Sequence, residues 1–184
     1  RPGAPDQNAN KFVAHWRKVL PAKVAAHVLG TIAAARSHSL PAAAVEQQAL
    51  ILARNGTKPA DVEKSIDKSA GDMKKAKAAL ENGGRKPSSD EVIAGSKLVG
   101  RGVDGSKISE FANTAPRARS LAVPLYFTGS LMDRNLKFDG AIARWHGRLK
   151  AEANEWRVNT ESDAAAREKE RTRGKQASGA GTEP

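Results

Sequence analysis

Histidine is the side chain most often used as a base or zinc ligand near neutral pH, and this chain has four: His15, His27, His38 and His146. No two lie three or four residues apart, and no His-Glu-x-x-His helix occurs. A metal site or a general base would have to be assembled from residues distant in sequence. The chain has no cysteine, which excludes thiolate ligands and disulfides. His15 adjoins Trp16 and His146 adjoins Trp145. Both therefore read as partly exposed histidines beside apolar helix stripes.

Three further patterns imitate catalytic motifs. Ser65 to Lys68 spells the Ser-x-x-Lys of acyl-transfer enzymes, but the supporting Ser-Asp-Asn and Lys-Thr-Gly are missing. Gly95 to Gly102 has the glycines of a phosphate loop, with Arg101 in place of the lysine and Gly102 in place of Ser/Thr. With no strand before it, that segment reads as a helix end. Asp61, Glu63 and Asp67 alternate with Lys64 and Lys68, which favours exposed ion pairs along one helix over the raised carboxyl pKa of acid catalysis. Catalytic residues, metal ligands and cofactors are accordingly not expected. Asn55-Gly56-Thr57 is a formal glycosylation sequon at a surface turn.

Charge is the feature with functional content. The formal net charge is +11 and the pI about 10.1. The surplus is spread over residues 1–150, while 151–184 carry one more acid than base, so a basic terminal arm is not the design. Lys74, Lys75 and Lys77 cluster on one long helix, Arg85 and Lys86 follow in a linker, and Arg117 and Arg119 occupy another. These seven are the candidate binding residues. They would meet an acidic protein, a larger assembly or another polyanion, such as an envelope polymer or nucleic acid, through non-specific electrostatics. A groove-reading frame is not evident, and the three tryptophans and Tyr126 fall on apolar stripes rather than exposed stacking platforms.

The elements that must position these residues are helices. Aromatics make up only 4% of the 184 residues, so alanine and aliphatic side chains must fill the core. Interspersed charges among alanines favour helix, and strand-type alternation is missing. Stripes with three- or four-residue steps run through Phe12 to Leu20, Val24 to Ala35 and Val45 to Leu52. The longest, over about 58–81, carries Val62, Ile66, Ala70, Met73, Ala76 and Leu80. Gly83 to Pro87 is a linker, Ser88 and Glu91 form a capping box, a short helix spans about 106–115, and Leu121 to Met132 should lie in the core. The last helix carries Ile142, Trp145, Leu149 and Trp156.

One corner recurs: an arginine at a helix end, a short turn, an anchor, then a core residue five positions later. It appears at Arg36–Leu40–Val45, Arg54–Thr57–Val62, Arg101–Val103–Ile108 and Arg134–Leu136–Ala141. The arginines suit a helix C-terminus, whose free carbonyls attract cations.

The predicted fold is an all-α irregular bundle of about six to eight helices built from helix–turn–helix corners, with more than about 60% helix against a usual third. Residues 1–10 read as a flexible segment, 11–160 as the helical domain with the 82–88 linker as its candidate sub-boundary, and 161–184 as a charged helix end and disordered tail. No apolar run approaches the roughly 20 residues of a membrane span. The Arg1 to Pro5 start fits removal of a signal peptide, which favours an exported, periplasmic or extracellular, protein over a cytoplasmic one. The function expected is a non-enzymatic helical binding or scaffold protein. The alternative is a helical enzyme with a site assembled at long range around a histidine.

Overall fold

The computed structural model describes the backbone of residues 7–178, and side chains over 13–148 and 161–172. Every regular element among the described residues is a helix: α1 (Gln7–Val19), α2 (Ala22–Ser37), α3 (Ala42–Arg54), α4 (Pro59–Asn82), α5 (Ser89–Gly100), α6 (Gly105–Thr114), α7 (Ala122–Met132) and α8 (Phe138–Ser178). The fold is the irregular all-α bundle that the apolar spacing predicts. None of the helices is long and apolar enough, over the described residues, to cross a membrane.

The corners have one mechanism. Ser39, Gly56, Gly84, Gly102 and Asn135 adopt positive φ, between 53° and 87°, and each stands just past a helix. At four of them the next amide turns back onto the carbonyl five residues earlier: Leu40 to Ala35 at 2.8 Å, and Thr57 to Leu52, Arg85 to Leu80 and Val103 to Leu98 at 3.1 Å. This is the Schellman closure, which satisfies a carbonyl the helix end leaves free. The 82–88 linker thus shares this closure, without the helix-end arginine or the buried residue of the corner: α4 ends in Glu81-Asn82, and Asp90, five positions past Arg85, is exposed. The residue five positions past the anchor is fully buried in the four copies of that corner: Val45, Val62, Ile108 and Ala141 are each 0% exposed.

The chain divides after Asn135 into two compact units, Arg1–Asn135 and Leu136–Pro184. In the first, α4 is the central helix and packs on α2, α3, α5 and α6. Its Val62, Ile66, Met73, Ala76 and Leu80 are all buried. Burying one such aliphatic side chain contributes about 1.5–3 kcal/mol. Toward its N-terminal end Gln48 of α3 bridges Ser65 (3.0 Å) and Ser69 (2.6 Å). Toward its C-terminal end Ser109 of α6 donates to the Ala79 carbonyl at 2.8 Å. Close approach is bought with glycine: a Cβ on Gly83 would lie 2.5 Å from Ala112 Cβ, and one on Gly95 3.2 Å from Ala76 Cβ. The loop-like glycines Gly95 and Gly102 are therefore a helix-packing position and a helix cap.

Several expectations need correction. α1 begins at Gln7, inside the 1–10 segment expected to be flexible, with residues 1–6 outside the described ones. Tyr126 is 40% and Val123 67% exposed, because α7 is apolar around its whole circumference and only one side, with Leu125, Thr128 and Gly129, is buried. Asp67 pairs across helices with His27 at 2.8 Å rather than with a lysine of its own helix. In the second unit α8 carries the expected charged helix end, with residues 161–172 exposed throughout, and runs on to Ser178. Ala164 to Ala166 and the acid–base spacing of Asp163 and Arg167 sustain it without burial. The rest of the expected tail, 179–184, lies outside the described residues.

Candidate anion-binding cleft

The cleft begins with the corner that ends α4. Gly84, at φ +78, turns the chain so that the Arg85 amide closes on Leu80 and its side chain projects along the C-terminal end of α6. There the guanidinium donates four hydrogen bonds to main-chain carbonyls: Nε to Ala112 (3.1 Å), Nη1 to Arg119 (2.8 Å), and Nη2 to Ala115 (3.1 Å) and Pro116 (2.8 Å). The last carbonyls of a helix lack intrahelical partners and attract cations. Arg85 therefore caps a neighbouring helix and ties down the 115–120 turn that follows it.

That turn presents two more arginines. Leu121, 1% exposed, anchors its far end, and the Arg119 amide donates to the Pro116 carbonyl at 3.2 Å. Arg117 lies over Gly84, its Nη2 only 3.3 Å from where a Cβ would stand. Gly84 is favoured for its left-handed conformation, and its lack of a Cβ leaves the exposed Arg117 guanidinium room against the turn. A cleft of about 380 Å³ results, lined by Arg85, Lys86, Arg117, Arg119, Ser120 and Glu91. Two segments roughly thirty residues apart supply its four cations. Lys86, Arg117 and Arg119 are exposed, and like charges held this close favour an anion between them.

Glu91 is the exception to that charge. It is 7% exposed and completes the capping box of α5: its amide donates to Ser88 Oγ at 3.2 Å, and its Oε1 accepts from Ser88 Oγ at 3.1 Å and Ser88 N at 3.4 Å. Oε2 is buried and accepts no hydrogen bond from any described residue. The sequence identified Glu91 as a cap; nothing in it signalled that one oxygen would be left over beside four cations.

The lysines of α4 do not join this cleft. At about 100° per residue, Lys74 and Lys75 point in different directions. Lys74 edges a pocket of about 290 Å³ beside His38 and Asp67. Lys75 edges an open groove of about 790 Å³ beside Asn82 and Asp104. Lys77 donates to the His38 carbonyl at 2.9 Å and faces Glu81 at 3.7 Å. The seven predicted residues therefore divide: Arg85, Lys86, Arg117 and Arg119 converge, Lys74 and Lys77 share the His38 side of α4, and Lys75 faces another groove.

Around the histidines, His27 Nε2 contacts both Asp67 oxygens (2.8 and 3.0 Å), and Thr31 Oγ1 reaches Asp67 at 3.3 Å. His38 Nδ1 donates to the Ala34 carbonyl at 2.8 Å, an end cap for α2. His15 meets Trp16 edge-on, with ring centroids 6.4 Å apart. Elsewhere, Ser106 hydrogen-bonds to Asp104 and holds that carboxyl below the usual aspartate range. No protein-family model, no curated protein and no solved structure matches the chain.

Proposed function

We propose that this is a non-enzymatic helical binding protein that holds an acidic partner in the Arg85–Arg119 cleft. One observation carries the reading: Arg85 commits four of its five N–H donors to main-chain carbonyls, so its first role is to hold the turn rather than the ligand. It fixes the turn from which Arg117 and Arg119 reach solvent. A guanidinium offers a planar fork of donors matched to carboxylate or phosphate oxygens. Two of them beside Lys86 on a pre-positioned turn lose less side-chain entropy on binding than scattered lysines would.

Titration with labelled poly-L-glutamate at low and moderate salt tests this. Arg117→Gln with Arg119→Gln should weaken binding about tenfold or more and flatten its salt dependence, since fewer counterions are released. Lys74→Gln with Lys75→Gln removes the same charge from elsewhere on the surface and should have the smaller effect. Equal losses in both would reduce the cleft to bulk charge and refute the proposal.

A further inference from the structure

We infer that the exposed face of α7 is a second docking surface, and that its occupant is an amphipathic helix with acidic flanks; the surface is separate from the cleft and does not rest on it. Among the described residues three large hydrophobic side chains stand exposed: Ile51, Val123 and Tyr126. Ile51 is isolated, since Gln47 and Asn55, four residues to either side, are polar and exposed, and single surface hydrophobics need no explanation. Val123 and Tyr126 are three apart on one helix, with half-buried Phe127 beside them. That spacing puts them in one row, which runs on through exposed Ser130.

Charge says what the row receives. Lys97 of α5 is exposed and holds its ammonium 5.0 Å from the Tyr126 ring centroid. Arg134, in the turn that ends α7, is exposed as well, while the acid beside it, Asp133, is taken by Arg101 at 2.8 Å. Neither Lys97 nor Arg134 is in an ion pair with a described residue. An apolar row edged by cations suits a helix with leucine-type side chains at three- and four-residue steps, which interlock with the ridges of α7. Carboxylates along its flanks then meet Lys97 and Arg134. A second copy of this chain would instead set the same cations against each other across a two-fold axis. A lipid surface would gain little, because its binding scales with inserted apolar area and only Val123 in this row is more than half exposed.

Fluorescence anisotropy on the full chain tests this with three labelled peptides: leucines at helical spacing among glutamates, the same composition scrambled, and the same leucine spacing among lysines. Wild type should bind the first about tenfold or more tighter than either of the others. Val123→Glu suits the first turn of a helix, where an acid is favourable, and should erase the preference over the scrambled peptide. Val123→Ser should reduce it without adding charge. Ile51→Glu makes the same change on α3 and should leave it intact. Lys97→Gln should weaken both glutamate peptides, a loss that fades at high salt. Arg117→Gln with Arg119→Gln, which tests the cleft, should weaken both glutamate peptides alike and keep their ratio. Equal affinity of wild type for the ordered and scrambled peptides, or a preference that Val123→Glu retains or Ile51→Glu also erases, overturns the inference and leaves the cleft reading standing. Tight binding of the lysine peptide overturns it too, as does a ratio that collapses in the cleft variant. So does capture by phosphatidylserine vesicles, or a dimer in sedimentation, that Val123→Glu abolishes.

Discussion

Arg101 closes a two-point contact on Asp133, Nε to Oδ1 and Nη2 to Oδ2, both at 2.8 Å, while its Nη1 donates to the Lys97 carbonyl at 3.0 Å. One side chain thus caps its own helix, as a helix-end cation should, and links the ends of α5 and α7. The hydrogen bonds hold the Asp133 carboxyl below its ordinary range and push the Arg101 guanidinium above its own. A carboxyl with a lowered folded pKa contributes stability that is fully present above its unfolded value, about 3.9, and is lost as pH falls through the folded value. Asp133 is well exposed, so the contribution is modest. The melting temperature of Asp133→Asn should therefore lie below wild type at about pH 6, with the gap closing below about pH 4. A gap independent of pH would show that the carboxylate charge is not what stabilises the contact. The capping role of Arg101 was legible in the sequence. Its partner was not, because Asp133 lies 32 residues away and nothing local marks it.

The recurring corner is the feature of the elements that the sequence foretold best. Glycine or asparagine after an apolar stripe marks a helix stop for a steric reason: few other residues tolerate positive φ. Ser39, at φ 53, bears that cost. Ser39→Gly should raise stability by up to about 1 kcal/mol, whereas Gly102→Ala, at φ +87 with open space around it, should lower it by about 1–2 kcal/mol. Urea denaturation measures both, and reversed signs would contradict the shared mechanism. Periodicity failed where it had no contrast to read. Because α7 is apolar on every side, its spacing could not say that Leu125 is buried while Tyr126 is exposed, with the Lys97 ammonium 5.0 Å from the ring centroid. The charged end of α8 was legible from composition rather than periodicity: residues 161–172 bury nothing, so their helix rests on propensity and charge spacing, which leave no apolar stripe.

Over the whole molecule, the sequence supplied the right kind of residue for a site but only part of the grouping. Proximity along the chain made Lys74, Lys75 and Lys77 look like one cluster, but the 100° step of a helix leaves Lys74 and Lys77 on the His38 side and turns Lys75 away. Arg85 and Lys86 were grouped with Arg117 and Arg119 only by charge. The fold brings them together because Arg85 binds the carbonyls of the turn that carries the other two. The most direct test of that arrangement is an amide chemical-shift titration of the isotope-labelled protein with hexaglutamate. Binding in the cleft predicts the largest changes at Gly84 to Lys86, at Glu91 and over Arg117 to Ser120, with small ones at Lys74 to Lys77. Shifts centred on the lysines of α4, or spread evenly over every basic residue, would contradict it.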